Sequence, residues 1–142
     1  AHGVHAGHNT LGAFAHDDVV RASLERVPIE PLDAVVERLG LSHVDFVKID
    51  VEGAEARVVA GATNVLEKMR PMLLLEVNDK ALRAQGNCAD TLLETLRDKF
   101  GYRIFTFSLA TGLLEAWPSG NPLSSNVVAI PEQRVAELQP ST

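Results

Sequence analysis

Two periods of apolar residues follow one another along this chain, and each marks a different kind of element. "VDFVKIDV", residues 44–51, is rich in Val, Phe and Ile. As a strand it turns Phe46, Lys48 and Asp50 to one side and Val47, Ile49 and Val51 to the other. Before it, "PLDAVVERLG" places Leu32, Val35, Val36 and Leu39 on one helical face. Pro31 suits the first turn of that helix and Gly40 its end. "RVPIEP" is a short extended piece that Pro28 and Pro31 confine to an edge position. After Gly53 the period becomes helical from Ala54 to Ala60, breaks at Gly61, resumes through "TNVLEKM" and stops at Pro71. "MLLLEV" is an unbroken apolar run, the pattern of a strand covered on both faces.

"NDKALRAQGNC" reads as a loop. "ADTLLETLRDKFG" then predicts a helix with Leu92, Leu93, Leu96 and Phe100 on one face. "YRIFTFS" predicts a strand, "ATG" a turn, "LLEAW" a possible return and "PSGNPLSS" a loop. "NVVAIP" is the last strand, closed by Pro131. Residues 1–26 show no period and read as an irregular segment, residues 27–131 as the folded domain, and residues 132–142 as a polar tail that frays.

Strands alternating with helices imply right-handed crossovers and an α/β fold, a parallel sheet with helices on its faces. No helix separates "YRIFTFS" from "NVVAIP", so these two are expected to be antiparallel. Parallel strands followed by such a pair form the closing half of a Rossmann-like sheet.

The 142 residues suffice for one domain with a core. A formal net charge of -6 argues against a nucleic-acid partner, which would be bound by phosphate neutralisation. Cys88 is the only cysteine, which rules out an internal disulfide and fits a reducing cytoplasm. No apolar run approaches membrane-spanning length and no basic-plus-apolar leader opens the sequence, so no membrane partner is expected. His2, His5 and His8 are spaced to touch a metal, but no regular element is predicted to hold them, and no metal site is assigned. Gly3, Gly7 and Gly12 faintly resemble a cofactor loop that would need a strand before it, and none is predicted.

The chemistry gathers at the ends of two strands. In an open α/β sheet, ligands bind outside the carboxyl ends of the strands. Asp50 and Glu52 stand at that edge after "VDFVKIDV", and Glu76 and Asn78 close the next strand. Carboxylates there could take a proton from a hydroxyl, hold a divalent metal or bind ribose hydroxyls. Other readings are structural. Lys48 could neutralise Asp50 or Glu76 as an ion pair. Glu55 lies in the first turn of a helix, where a carboxylate meets the helix dipole favourably. Gly53 permits a tight strand-to-helix turn. Function is assigned to Asp50 and Glu52, and a structural role to Lys48, Gly53 and Glu55.

"VDFVKIDVEGAEARVVAGATNVLEKMRPMLLLEV" resembles the FkbM family of S-adenosylmethionine-dependent methyltransferases. That family carries a K-I-D-x-E-G-x-E pattern on its fourth strand, then a Gly-Ala helix break and a P-x-L-L-x-E fifth strand. Lys48, Ile49, Asp50, Glu52, Gly53 and Glu55 match that motif position for position. "VPIEPLDAV" is similar to the family's V-x-V-x-T-L-D segment, with Glu30-Pro31 where Thr is usual, and "NVVAIP" to its closing strand. The resemblance runs from about residue 25 to residue 131.

The resemblance implies O-methylation of a sugar or secondary-metabolite hydroxyl with S-adenosylmethionine as cofactor. Asp50 and Glu52 would be catalytic, and Glu76 and Asn78 would bind the acceptor. The family's glycine-rich loop and the acidic residue ending its second strand have no counterpart here. The chain therefore resembles the C-terminal part of such an enzyme and is expected to be inactive alone. A non-catalytic association module or a partial gene product is the alternative. The expected sheet order is "VDFVKIDV", "MLLLEV", "NVVAIP", "YRIFTFS", with the last at an edge. The side of "VDFVKIDV" left without its usual neighbour is expected to drive homo-oligomer formation.

Overall fold

The computed structural model describes residues 26–117 and 124–138. Helix α1 (Leu32–Arg38) leads into strand β1 (Phe46–Ile49), and helix α2 (Glu55–Ala60) follows. A π-helical turn (Val65–Met69) and strand β2 (Met72–Asn78) come next. Helix α3 (Asp79–Ala84) and helix α4 (Ala89–Glu94) follow, the latter running on into a second π-helical stretch (Thr95–Lys99). The hairpin strands β3 (Tyr102–Phe107) and β4 (Leu114–Ala116) precede β5 (Ser124–Pro131) and a 3-10 helix (Glu132–Leu138).

The architecture is α/β. Five described strands form one mixed sheet in the order β1-β2-β5-β3-β4. β1 and β2 are parallel, whereas β2–β5, β5–β3 and β3–β4 are antiparallel. The order expected for the four longer strands is found, with the sequence of β5 antiparallel to both neighbours. "YRIFTFS" is not the edge, however: the return strand β4 pairs outside it, from Phe105↔Ala116 to Phe107↔Leu114. β4 is three exposed residues, so its strand conformation comes from pairing with β3 and not from any apolar pattern of its own.

The core lies on one face of the sheet. Ile49, Leu73, Leu75, Val127, Ala129 and Ile104 pack there against Val59, Leu66, Leu82, Leu93 and Leu96 of the helical segments. Leu73, Leu75, Leu82 and Leu96 are fully buried. Each is worth about 2–3 kcal/mol relative to an exposed position. The other face of β1 and β2 is more open: Leu74 and Met72 are half-buried and Phe46 is 53% exposed. Cover on both faces, expected from the "MLLLEV" run, is found on one face among the described residues. An unbroken apolar run reports hydrophobicity but not which neighbours arrive to cover it.

Two further expectations change. "NDKALRAQGNC" contains a helix, α3, whose first turn is capped by Asn78 Oδ1 accepting the Ala81 N–H at 3.2 Å. The start of the expected fraying tail, Glu132–Leu138, is a 3-10 helix. Residues 1–25, including the histidines and glycines of the opening stretch, lie outside the described residues. "RVPIEP" has no strand assignment among its described residues.

Partly buried polar side chains tie the elements together. Asp33 in α1 accepts the backbone N–H groups of Asn64 and Val65 at 2.8 and 3.0 Å, capping the π-helical turn from another element. Arg70, with φ of 56°, donates to the carbonyls of Phe100 and Gly101 and lies 4.9 Å over the Tyr102 ring. The Tyr102 hydroxyl is buried without a hydrogen-bond partner among the described residues, and burial pushes its pKa up to about 12. An unmade buried hydrogen bond costs about 1–3 kcal/mol. Tyr102→Phe is therefore expected to stabilise the fold by about 1 kcal/mol in chemical denaturation. A loss of stability of that size would instead show that the hydroxyl is satisfied.

Candidate functional site

Register brings the acidic residues together. β1 and β2 run parallel with Lys48 beside Leu74 and Ile49 beside Leu75. One step further along, Asp50 falls beside Glu76, on the same open face as Lys48. The Lys48 Nζ donates to Asp50 Oδ2 at 2.6 Å, with the two side chains 60% and 35% exposed. This contact holds Asp50 below the usual carboxylate range, first by its hydrogen bond and then by the lysine charge. The same bond raises Lys48.

Glu76 moves the other way. Partial desolvation raises its pKa, and the neighbouring charges of Asp50 and Glu52 add to the effect. The Asp50 and Glu76 carboxyls are within hydrogen-bonding reach of each other. Between the two shifted values, Asp50 is ionised and Glu76 protonated, so the pair holds one proton. The stability consequences have opposite signs. Asp50, lowered from 3.8, contributes stability above that pH that is lost as pH falls through its folded value. Glu76, raised from 4.5, contributes stability below that pH that is lost as pH rises through its folded value.

The turn after β1 aims these groups. Glu52 and Gly53 take successive positive φ values of 49° and 97°, and the Ala54 N–H bonds the Val51 carbonyl at 3.2 Å. The chain thereby reverses within a few residues into α2. Glu55, at 1% exposure, folds its carboxylate back so that Oε1 accepts the Gly53 N–H at 3.1 Å. Its Oε2 is buried without a partner among the described residues. Glu55 is indeed in the first turn of α2, but its contact is with the turn before the helix. Gly53 itself is pressed against α3, where a Cβ would lie 2.4 Å from the Ala81 carbonyl oxygen.

Of the residues singled out in the sequence, Lys48, Asp50, Glu52 and Glu76 share this corner electrostatically. Asn78 is half-buried, with its Oδ1 committed to the α3 cap. Gly53 and Glu55 shape the turn. Sequence reasoning passed over Asp79, which is 6% exposed, accepts the Ala89 N–H at 2.8 Å and meets Arg83 Nε at 2.5 Å. These contacts, the Ala89 bond foremost, hold its pKa low and fasten the start of α4 to the start of α3. The available signal was the i,i+4 spacing of Asp79 and Arg83, an acid-then-base pair at helical distance. Among the described residues no group of His, Cys, Asp and Glu side chains is arranged to hold a metal. No helix among them is long and apolar enough to cross a membrane.

A motif shared at Lys48-Ile49-Asp50, Glu52-Gly53 and Glu55 becomes decisive when the match extends over most of the chain. The family model described as "Methyltransferase FkbM domain" matches residues 4–104. The chain belongs to that family. The match begins earlier than the resemblance read from the motifs and ends inside β3, so the FkbM match takes in much of the segment read as irregular. The AMB antimetabolite synthetase AmbE of Pseudomonas aeruginosa is 39% identical over 89 residues. That alignment covers 62% of this chain and 4% of the synthetase, so the chain spans a small part of that relative's length. No solved structure matches.

Proposed function

We propose that this FkbM-family chain forms the acceptor side of an S-adenosylmethionine-dependent methyltransferase of Rossmann-like fold, acting on a hydroxyl of a sugar or other secondary metabolite. The reading rests on one observation: Asp50, Glu52 and Glu76 converge at the carboxyl ends of two adjacent parallel strands. A small-molecule acceptor is supported by the name of the Pseudomonas relative, an antimetabolite synthetase. The lone Cys88 and the acidic composition keep a cytoplasmic setting within the proposal.

The described residues do not fit the cofactor itself. A cofactor cradle needs a glycine turn whose N–H groups and open Cα faces admit the ligand's backbone approach. At the β1–α2 turn the Gly53 N–H is taken by Glu55 and its Cα faces the Ala81 carbonyl. What these residues do is orient and deprotonate an acceptor. Asp50, fixed by Lys48, supplies constant negative charge. Glu76, raised toward neutrality, is the better placed proton acceptor, because a general base works best when its pKa approaches the working pH. This shifts the leading role from Asp50, favoured on sequence alone, to its neighbour.

Isothermal titration of the chain with S-adenosylmethionine tests the division of labour. The expected result is no saturable heat at micromolar cofactor. Micromolar affinity would overturn the reading of this chain as the acceptor side.

Self-association belongs to the same proposal. β1 is paired with β2 on one side and has no described strand on the other. Unpaired backbone groups on an edge are a template for another chain, and exposed Val27 and Phe46 favour burial. Light scattering is expected to give a dimer or larger species with closed symmetry. A single mass near 15.3 kDa would end that part of the proposal.

A further inference from the structure

A cleft of about 460 Å³ is lined by residues of α1 and of the β1–α2 segment, and neither Asp50 nor Glu76 is among them. Its walls are apolar: Pro31, Leu32 and Val35 on one side, Val51, Ala54 and Val58 on the other. The walls are joined by fixed contacts at one end. The Asp33 N–H bonds the Gly61 carbonyl at 3.0 Å, and a Cβ at Gly61 would come within 3.3 Å of Pro31 Cα. The two segments therefore meet closely there, and Val35 and Val58 are among the residues that line the cleft.

Two charged side chains line it, and they are not equivalent. Glu30 is engaged by Arg38 at 2.9 Å. Arg57 has no hydrogen-bond or ion-pair partner among the described residues. A guanidinium left unpaired beside an apolar cleft is complementary to a carboxylate carried on an apolar body. Pockets of this size and lining, with a few polar groups to set orientation, are typical of small-molecule sites.

We propose that this cleft binds a small amphiphilic carboxylate, its apolar body between α1 and α2 and its carboxylate on Arg57. The site is separate from the acidic corner and does not depend on the methyltransferase reading. The two share the β1–α2 turn, since Val51 lines the cleft while its neighbours Asp50 and Glu52 belong to the corner.

Octanoate and 1-octanol, matched in apolar length, serve as probes in titrations of the full chain followed by backbone amide NMR. Octanoate is expected to bind saturably and to shift the amides of Val51, Ala54, Arg57 and Val58. A charge-assisted contact supports a preference for octanoate over octanol of about tenfold or more. Arg57→Gln is expected to remove that preference and leave octanol binding unchanged. Val58→Trp, which fills the cleft, is expected to abolish binding of both probes, with retained amide dispersion at Leu73 and Leu75 reporting an intact core. The proposal is overturned if octanoate shifts none of these amides or if Arg57→Gln leaves the preference intact.

Discussion

Gly53→Ala is expected to destabilise the fold by about 3–5 kcal/mol, more than any other single methyl addition in the β1–α2 region. The new Cβ would sit 2.4 Å from the Ala81 carbonyl oxygen and 2.6 Å from its carbonyl carbon, both of them backbone atoms that no rotamer change can move. Ala81 is 2% exposed and its N–H is the one capped by Asn78, so displacing it disturbs the start of α3. Leu82, fully buried in the core, follows directly. The φ of 97° at Gly53 adds backbone strain for any residue with a Cβ. Gly86→Ala separates the two causes. Gly86 has φ of 81° and open space where a Cβ would go, so the change there is expected to cost about 1 kcal/mol from strain alone. Urea denaturation of both variants measures the difference. Equal costs would mean that α3 yields freely and that the close approach at Gly53 is not structural.

The same turn shows what can be read from a sequence and what cannot. Strand and helix periods around residues 44–51, 72–77 and 89–100 are carried by apolar residues whose burial is imposed by the core, so they were legible. The parallel pairing of β1 with β2, and with it the meeting of Asp50 and Glu76, followed from strand-helix alternation. Helix α3 was obscured because Lys80 and Arg83 dilute a short apolar face made of Ala81 and Leu82. Its boundaries were nevertheless signalled, by Asn78 at the cap, Asp79 in the first turn and Gly86 beyond the end. β4 carried a weaker signal, the "ATG" turn ahead of "LLEAW", since all three of its residues are exposed. The chemistry was legible in kind but not in state. Spacing put Lys48 on the same face as both Asp50 and Glu76 and left its partner open. The choice of Asp50 is a matter of side-chain reach in three dimensions, and it lowers the pKa of Asp50 while that of Glu76 is raised. Glu55 is similar: a first-turn acid by sequence, but a buried brace for Gly53 in the fold.

Methyl transfer is expected to fall by about 10²–10⁴-fold in Glu76→Gln, the usual contribution of a positioned general base. The measurement uses this segment within a polypeptide that also carries a cofactor-binding half, with turnover counted per folded molecule. Gln keeps the size and hydrogen-bonding capacity of Glu76 and removes its ability to take a proton. Glu76 makes no ion pair among the described residues, and desolvation with its acidic neighbours raises its pKa, so its loss removes basicity while sparing the fold. Asp50→Asn is expected to act differently. It removes a negative charge that helps raise Glu76, so the acid limb of the pH–rate profile should move to lower pH. It also releases Lys48 from its 2.6 Å contact, leaving a cation to lower Glu76 further by the same rule. Turnover at neutral pH should then decline less than in Glu76→Gln, because a base of lower pKa is weaker but still ionised. The reverse pattern, with Asp50→Asn abolishing transfer and Glu76→Gln retaining it with an unmoved pH profile, would return the base to Asp50. Lys48 would then be the group that holds that base in place.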